Sequence, residues 1–149
     1  MRAVVQRVTW ARVAVDSREV AAINHGLLVL VGIGRDDDPS DTAYMANKIV
    51  GLRVFEDAGH RFNRSVREVD GTVLLVSQFT LYGDCRRGRR PSFDGAAPPA
   101  EARALYDGLA EALGAFEVSV KLGEFQAHMT VESANDGPVT ILLDSGKAF

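Results

Sequence analysis

One cysteine, three histidines and one tryptophan among 149 residues leave little from which to build the commoner catalytic and metal sites. Cys85 has no second cysteine for an intrachain disulfide and no spaced histidines beside it for a metal. It reads as an incidental thiol, made somewhat reactive by its place between Asp84 and Arg86. No apolar run approaches the ~18 residues a membrane span needs. The chain opens directly on an alternating strand without an apolar leader, so a cytoplasmic protein is expected. Positive charge is not in excess: 17 Lys and Arg against 20 Asp and Glu give a formal charge of -3, which argues against a surface that coats DNA. Internal repeats and linkers are absent, and 46% hydrophobic content suffices for one domain spanning residues 1–149.

What is present centres on Gly71 to Leu81. Asp70-Gly71 signals a turn, and Val73 to Val76 is a continuous apolar run, short and β-branched enough for a buried central strand. Ser77, Gln78 and Thr80 then stand where an apolar strand should simply finish. A buried polar group without a partner costs about 1–3 kcal/mol, so either a loop or a ligand must meet them. From Tyr82 to Pro99 apolar periodicity vanishes, and Arg86, Arg87, Arg89 and Arg90 cluster around Gly88. Guanidiniums this close repel one another unless they are solvated or face an anion such as phosphate. The loop is therefore either a solvated tip or a local RNA contact.

Elsewhere the pattern predicts strands at Arg2–Val8, Arg12–Val15, Glu19–Ile23, Leu27–Ile33 and Leu52–Glu56, then a polar connection from Arg61 to Glu68. Asp38 and Pro39 open a helix that ends near Gly51, and the acids at Asp36 to Asp38 suit a helix N-terminus better than a metal. Pro98-Pro99 starts a second helix, with Ala102, Leu105, Leu109 and Leu113 as its apolar stripe and Gly114 as its stop. Phe116 to Lys121 and Phe125 to Glu132 alternate as one-sided strands, with His128 pointing outward. Asn135 to Thr140 reads as a constrained turn, since Pro138 cannot donate to a ladder, and Ile141 to Leu143 is a last strand. Gly32-Ile33-Gly34 lacks the third glycine of a dinucleotide fingerprint. The expected class is α+β, with a curved antiparallel or mixed sheet, barrel-like, and two main helices packed outside.

Ser77-Gln78-Phe79-Thr80-Leu81 together with Asn135-Asp136-Gly137-Pro138-Val139-Thr140 resembles the paired signature of the D-aminoacyl-tRNA deacylases, the D-tyrosyl-tRNA deacylase family. Gln6-Arg7-Val8, Arg90-Pro91-Ser92-Phe93 and Phe125-Ala127-Met129 are similar to that family too, so the likeness spans nearly the whole chain. The resemblance implies a cytosolic homodimer that hydrolyses the ester between a D-amino acid, or glycine, and the terminal adenosine of tRNA. Ser77, Gln78, Phe79 and Thr80 would carry catalysis, and Arg7, Phe125, Ala127 and Met129 would line the substrate pocket. Gly137 and Pro138 would reject L-substrates, through a cis bond entering the partner's site. Arg86, Arg87, Arg89 and Arg90 would meet RNA, and neither a cofactor nor a metal is called for. Three readings of the chemistry stay open. Thr80 and nearby backbone N–H groups could orient the ester; Thr80 or Ser77 could attack as a nucleophile with a base brought in by the fold; or the chain could be a non-catalytic single-strand RNA binder.

Overall fold

In the computed structural model, which describes residues 1–148, eight strands and two α-helices follow the chain as β1 (Arg2–Val15), β2 (Arg18–Ile23), β3 (Gly26–Gly32), α1 (Pro39–Gly51), β4 (Phe55–Glu56), β5 (Phe62–Arg64), β6 (Thr72–Ser77), α2 (Pro99–Gly114), β7 (Ser119–Leu122) and β8 (Thr130–Asp144). A short 3-10 helix, Phe79–Tyr82, follows β6. The main sheet runs β2-β1-β3-β6-β7, with β8 on the free side of β1. β1 is antiparallel to β2, β3 and β8, whereas β3, β6 and β7 are mutually parallel. β2 folds back towards β6 and β7, which brings the sheet close to a barrel. The expected α+β class, mixed sheet and pair of outer helices are what the chain adopts.

The predicted break in the first strand is not a break. β1 runs unbroken from Arg2 to Val15, but its register against β8 slips around Gln6, Val8 and Trp10. A one-residue slip turns every later side chain to the opposite face. Ala3 and Val5 therefore join the core under the helices, and Val8, Ala11 and Val13 join a second core on the other side. β8 makes the matching change: Val131 packs on the second core, while Val139, Ile141 and Leu143 pack on the first. Asn135 to Thr140, expected to reverse the chain, is the irregularity within one long strand. Its partner strand pins it in place. Arg7 Nε donates to the Asp136 carbonyl at 3.1 Å, Gln6 Nε2 reaches Thr140 Oγ1 at 3.2 Å, and Asn135 Oδ1 accepts the Val139 N–H at 2.7 Å.

α1 is capped as its sequence suggests, Asp38 accepting from Ser40 and Asp41 with Pro39 in the first turn. α2 is rotated slightly from the expected stripe: Tyr106, Leu109 and Leu113 are buried, whereas Ala102 and Leu105 are half-buried. Tyr106 is admitted to the core because its hydroxyl donates to the Leu75 carbonyl at 2.8 Å. Burial pushes that phenol's pKa up. β4 is shorter than expected, and the polar connection contributes β5 to a small hairpin with it. Phe125 to Met129 is irregular rather than strand, and β8 starts only at Thr130. Met129 folds against Gly123, where a methyl group would come within 2.9 Å of its sulfur.

Parallel pairing of β3 and β6 leaves no room at Gly26, where a methyl group would stand 1.9 Å from the Thr72 carbonyl oxygen. At Gly51, by contrast, a methyl group would meet nothing within 4 Å. Gly26→Ala should accordingly destabilise by about 3 kcal/mol or more through overpacking, and Gly51→Ala should change stability by no more than about 0.5 kcal/mol. Urea midpoints of the two variants would check this, and similar midpoints would contradict the packing described.

Candidate functional site

At the carboxyl ends of the parallel strands β3 and β6 lies a cavity of about 630 Å³, bounded by Ser77, Gln78 and Phe79 on one side and by Phe125, Ala127 and Met129 on another. Segments nearly fifty residues apart in sequence thus share one wall-to-wall space. Val31, Ile33 and Val76 form an apolar floor, and Phe93 with Ala96 to Pro99 closes the far side. Phe125 is fixed by the Tyr106 ring at 5.6 Å and lies under the Arg103 guanidinium at 5.4 Å.

The hydroxyl groups at this site are not paired with a base among the described residues. Thr80 Oγ1 accepts from Gln78 Nε2 at 2.5 Å, and among the described residues neither Ser77 nor Thr80 is hydrogen-bonded to a histidine or carboxylate. Thr80 itself is exposed in the 3-10 helix beside the cavity rather than among its lining residues. The backbone offers more. Gln78 N–H is taken by the Val31 carbonyl at 2.7 Å, and the Leu81 and Gly83 N–H groups turn back to Gln78 and Thr80. Among the described residues the Phe79 and Thr80 N–H groups have no acceptor. They are two unspent donors at the start of a helical turn, the arrangement that suits a carbonyl oxygen gaining negative charge.

Arg7, Gly137 and Pro138 lie elsewhere. Arg7 is buried beneath the irregular part of β8, donating to the Val54 carbonyl at 2.6 Å and pairing with Asp136 at 3.2 Å. With Asp136, His25 and Phe55 it borders a separate, more polar cavity of about 650 Å³. Gly137 has φ +127 and forms a cis bond with Pro138; both residues are exposed, and neither lines this chain's own apolar cavity. The arginine loop is a hairpin tip. Asp84 and Ser92 close it with backbone bonds of 2.7 and 3.0 Å, leaving Arg86, Arg87, Arg89 and Arg90 exposed. Phe93 stacks edge-on against Phe79 at 5.0 Å, so the base of the loop abuts the cavity. Of the arginines, Arg86 pairs with Asp84 at 2.6 Å; Arg87, Arg89 and Arg90 have no ion pair among the described residues.

Sequence reasoning missed Gln126, His128, Arg35 and Ala96 to Pro99 as cavity residues. His128 was expected to point outward, and it is exposed, at the rim. Pro98-Pro99 was the one available signal, read only as a helix start.

The family model for D-Tyr-tRNA(Tyr) deacylase matches residues 4–144. The chain belongs to that family. Among curated relatives, a D-aminoacyl-tRNA deacylase of Thermotoga petrophila is 56% identical over 149 residues, covering 100% of both chains. One of Clostridioides difficile is 54% identical with the same coverage. A solved structure named c-Myc DNA Unwinding Element Binding Protein is 41% identical, with TM-score 0.91 over 97% of this chain and 98% of that one. A probable eukaryotic D-amino acid tRNA deacylase shares the fold at TM-score 0.82, with 17% identity, covering 95% and 97% of the two chains. Membership of the deacylase family meets the expectation drawn from the paired motifs and makes the chain an ester hydrolase by family.

Electrostatically, Arg86 is already spoken for. Hydrogen bonds from its guanidinium and its own backbone N–H hold the Asp84 carboxyl at about 2, so the pair stays ionised through the physiological range. An NMR titration of the Asp84 carboxyl should show its midpoint near that value. In Arg86→Ala it should rise towards the ordinary ~3.9. An unchanged midpoint would contradict the pairing.

Proposed function

We propose that this protein hydrolyses the ester joining a D-amino acid, or glycine, to the 3′ adenosine of tRNA, removing mischarged residues in the cytoplasm before they reach the ribosome. The observation that carries the reading is the apolar cavity shared by Ser77-Gln78-Phe79 and Phe125, Ala127 and Met129, with the Phe79 and Thr80 N–H groups unspent at its edge. An aminoacyl ester is already activated, so positioning and two backbone donors can lower the barrier enough without a triad. Water adds to the carbonyl carbon, the oxyanion is held by the N–H groups, and the bond to the 3′ oxygen breaks as that oxygen takes up a proton. A second water or the neighbouring ribose hydroxyl relays the proton. Gln78 holds the Thr80 hydroxyl in place, which gives Thr80 a supporting part rather than that of attacking nucleophile.

Discrimination by handedness is assigned to Gly137 and Pro138 of a second copy. D- and L-residues differ only in the direction in which the side chain leaves the alpha carbon, so a wall on one side rejects one of them, and glycine passes. In this chain Gly137 and Pro138 stand away from their own cavity. A surface for the second copy is available. Leu142, 56% exposed, lies opposite Val4; Val4 pairs with Leu30, and Leu30 with Val76 on the cavity floor. This apolar row leads across the sheet to the cavity, and a homodimer built on it would bring one copy's Gly137-Pro138 to the other's site. The exposed arginines Arg87, Arg89 and Arg90, with Arg86 behind them, serve RNA phosphates near the same opening.

Release of free amino acid from charged tRNA tests the reading: D-aminoacyl- and glycyl-tRNA should be cleaved and L-aminoacyl-tRNA left intact. Equal release from both isomers would sink it. Thr80→Ala should retain deacylation, reduced about tenfold, because the backbone donors remain. An acylated Thr80 recovered by rapid quench and mass spectrometry would establish the nucleophile reading instead. For the loop, Arg87, Arg89 and Arg90 changed together to alanine should weaken tRNA binding and flatten its log–log salt slope by about 2. Arg86→Ala alone should alter the slope less, and an unaltered slope in the triple variant would remove the loop from the interface.

A further inference from the structure

We propose that Arg2 is a positioning residue for this hydrolysis: it holds the 3-10 helix Phe79–Tyr82, and with it the Phe79 and Thr80 N–H groups, in place beside the cavity. The inference rests on the reading of the site given above. A four-residue 3-10 helix has few hydrogen bonds of its own and relatively poor bond geometry, so contacts with the rest of the fold must fix it. Two sets of contacts do so. From beneath, the helix lies on bare backbone at the end of β3. A methyl group at Gly32 would come within 2.9 Å of the Gln78 carbonyl oxygen and 3.1 Å of Leu81 Cβ, and one at Gly34 within 2.5 Å of the Tyr82 hydroxyl. From its carboxyl end, Arg2 closes over it. Arg2 Nη1 donates to the Leu81 carbonyl at 3.2 Å, and the guanidinium lies 4.6 Å over the Tyr82 ring.

The clamp is itself anchored. Arg2 Nε stands 3.5 Å from Oδ2 of the buried Asp144, whose other oxygen accepts the Gly146 N–H at 2.8 Å. A single planar side chain therefore joins the first residue of β1, the last of β8 and the end of the helix. Lysine offers a point charge without that fork. Arg2 makes these contacts at the end of the helix opposite the two unspent donors, and it is not among the cavity residues. Its effect on the reaction passes through the position of the helix. Because a misplacement of ~1 Å can lower a rate a hundredfold, a loosened helix should slow chemistry while leaving substrate affinity nearly intact.

The test uses the full chain in single-turnover release from D-aminoacyl-tRNA, with the urea curve of each variant measured alongside. In Arg2→Met the rate constant at saturating enzyme should fall about tenfold, while the half-saturating enzyme concentration should stay within about twofold. Gly32→Ala, which lifts the same helix from below, should give the same split, and Arg2→Lys should fall between wild type and Arg2→Met. Hydrogen exchange at the Leu81 and Gly83 amides, which close the helix on the Gln78 and Thr80 carbonyls, should quicken in Arg2→Met while that of Leu75 in β6 does not. A wild-type rate in Arg2→Met, or a rate lowered only in proportion to the unfolded fraction, would overturn the proposal. A wild-type protein that releases no D-amino acid would sink the reading of the site instead, and the exchange of the two amides would still decide whether Arg2 holds the helix.

Discussion

β1 and β8 pair along nearly their whole length, yet both change faces midway, and the two cores and the exposed Gly137-Pro138 pair depend on that slip. It lets one ladder serve two cores. The halves carrying Ala3, Val5, Val139 and Ile141 are pinned under the helices, and those carrying Val8, Ala11, Val13 and Val131 cover the other side of β3 and β6. The slip also needs residues that do not pair, and these include Asp136, Gly137 and Pro138, held out from the sheet over the buried Arg7. An arginine buried this deeply is tolerable only with its hydrogen bonds satisfied, and carbonyls of Val54 and Asp136 supply them. The same constraint that builds the barrel-like sheet therefore presents an exposed glycine–proline pair at a fixed place.

The cavity is organised on a different principle. Its floor is apolar, its hydroxyl groups are hydrogen-bonded to no base among the described residues, and beside it stand the Phe79 and Thr80 N–H groups without an acceptor. Such a site is suited to stabilising charge that develops on an ester oxygen and poorly suited to generating a strong nucleophile. An activated ester is the kind of substrate for which that is enough. Positive charge is held apart from it, at the hairpin tip, where Arg87, Arg89 and Arg90 are exposed.

Much of this was legible in the residues. The apolar run Val73 to Val76, the Asp38 cap and the Pro98-Pro99 start all rest on local physics that the fold does not override, and each is found where it was expected. The motif halves Ser77-Gln78-Phe79 and Phe125-Ala127-Met129 pointed to one site, and the fold brings them to one cavity. What was not legible depended on partners distant in sequence. Periodicity slips at Arg7 to Ala11 look like a strand end, because a bulge and a break have the same local signature. Asp-Gly-Pro looks like a turn unless one knows that β1 holds both flanks. Tyr106 is absent from the expected stripe of α2, and the Leu75 carbonyl that lets it be buried lies 31 residues away in sequence. Arg7 and Thr80, grouped with the pocket by their motifs, fall outside its lining because chain neighbours need not share a cavity.

The most direct test of the central claim, that the aminoacyl group is held at the cavity bordered by Phe79 and Met129 and its handedness is read there by a second copy's Gly137 and Pro138, is an NMR titration with non-hydrolysable analogues. D- and L-aminoacyl adenosines carrying a 3′ amide in place of the ester would serve. The D-analogue should shift the Phe79 and Thr80 amide signals and the Met129 methyl signal, while the L-analogue at the same concentration leaves them in place. Equal responses to the two isomers, or shifts centred on the polar cavity around Arg7 and Phe55, would contradict the account.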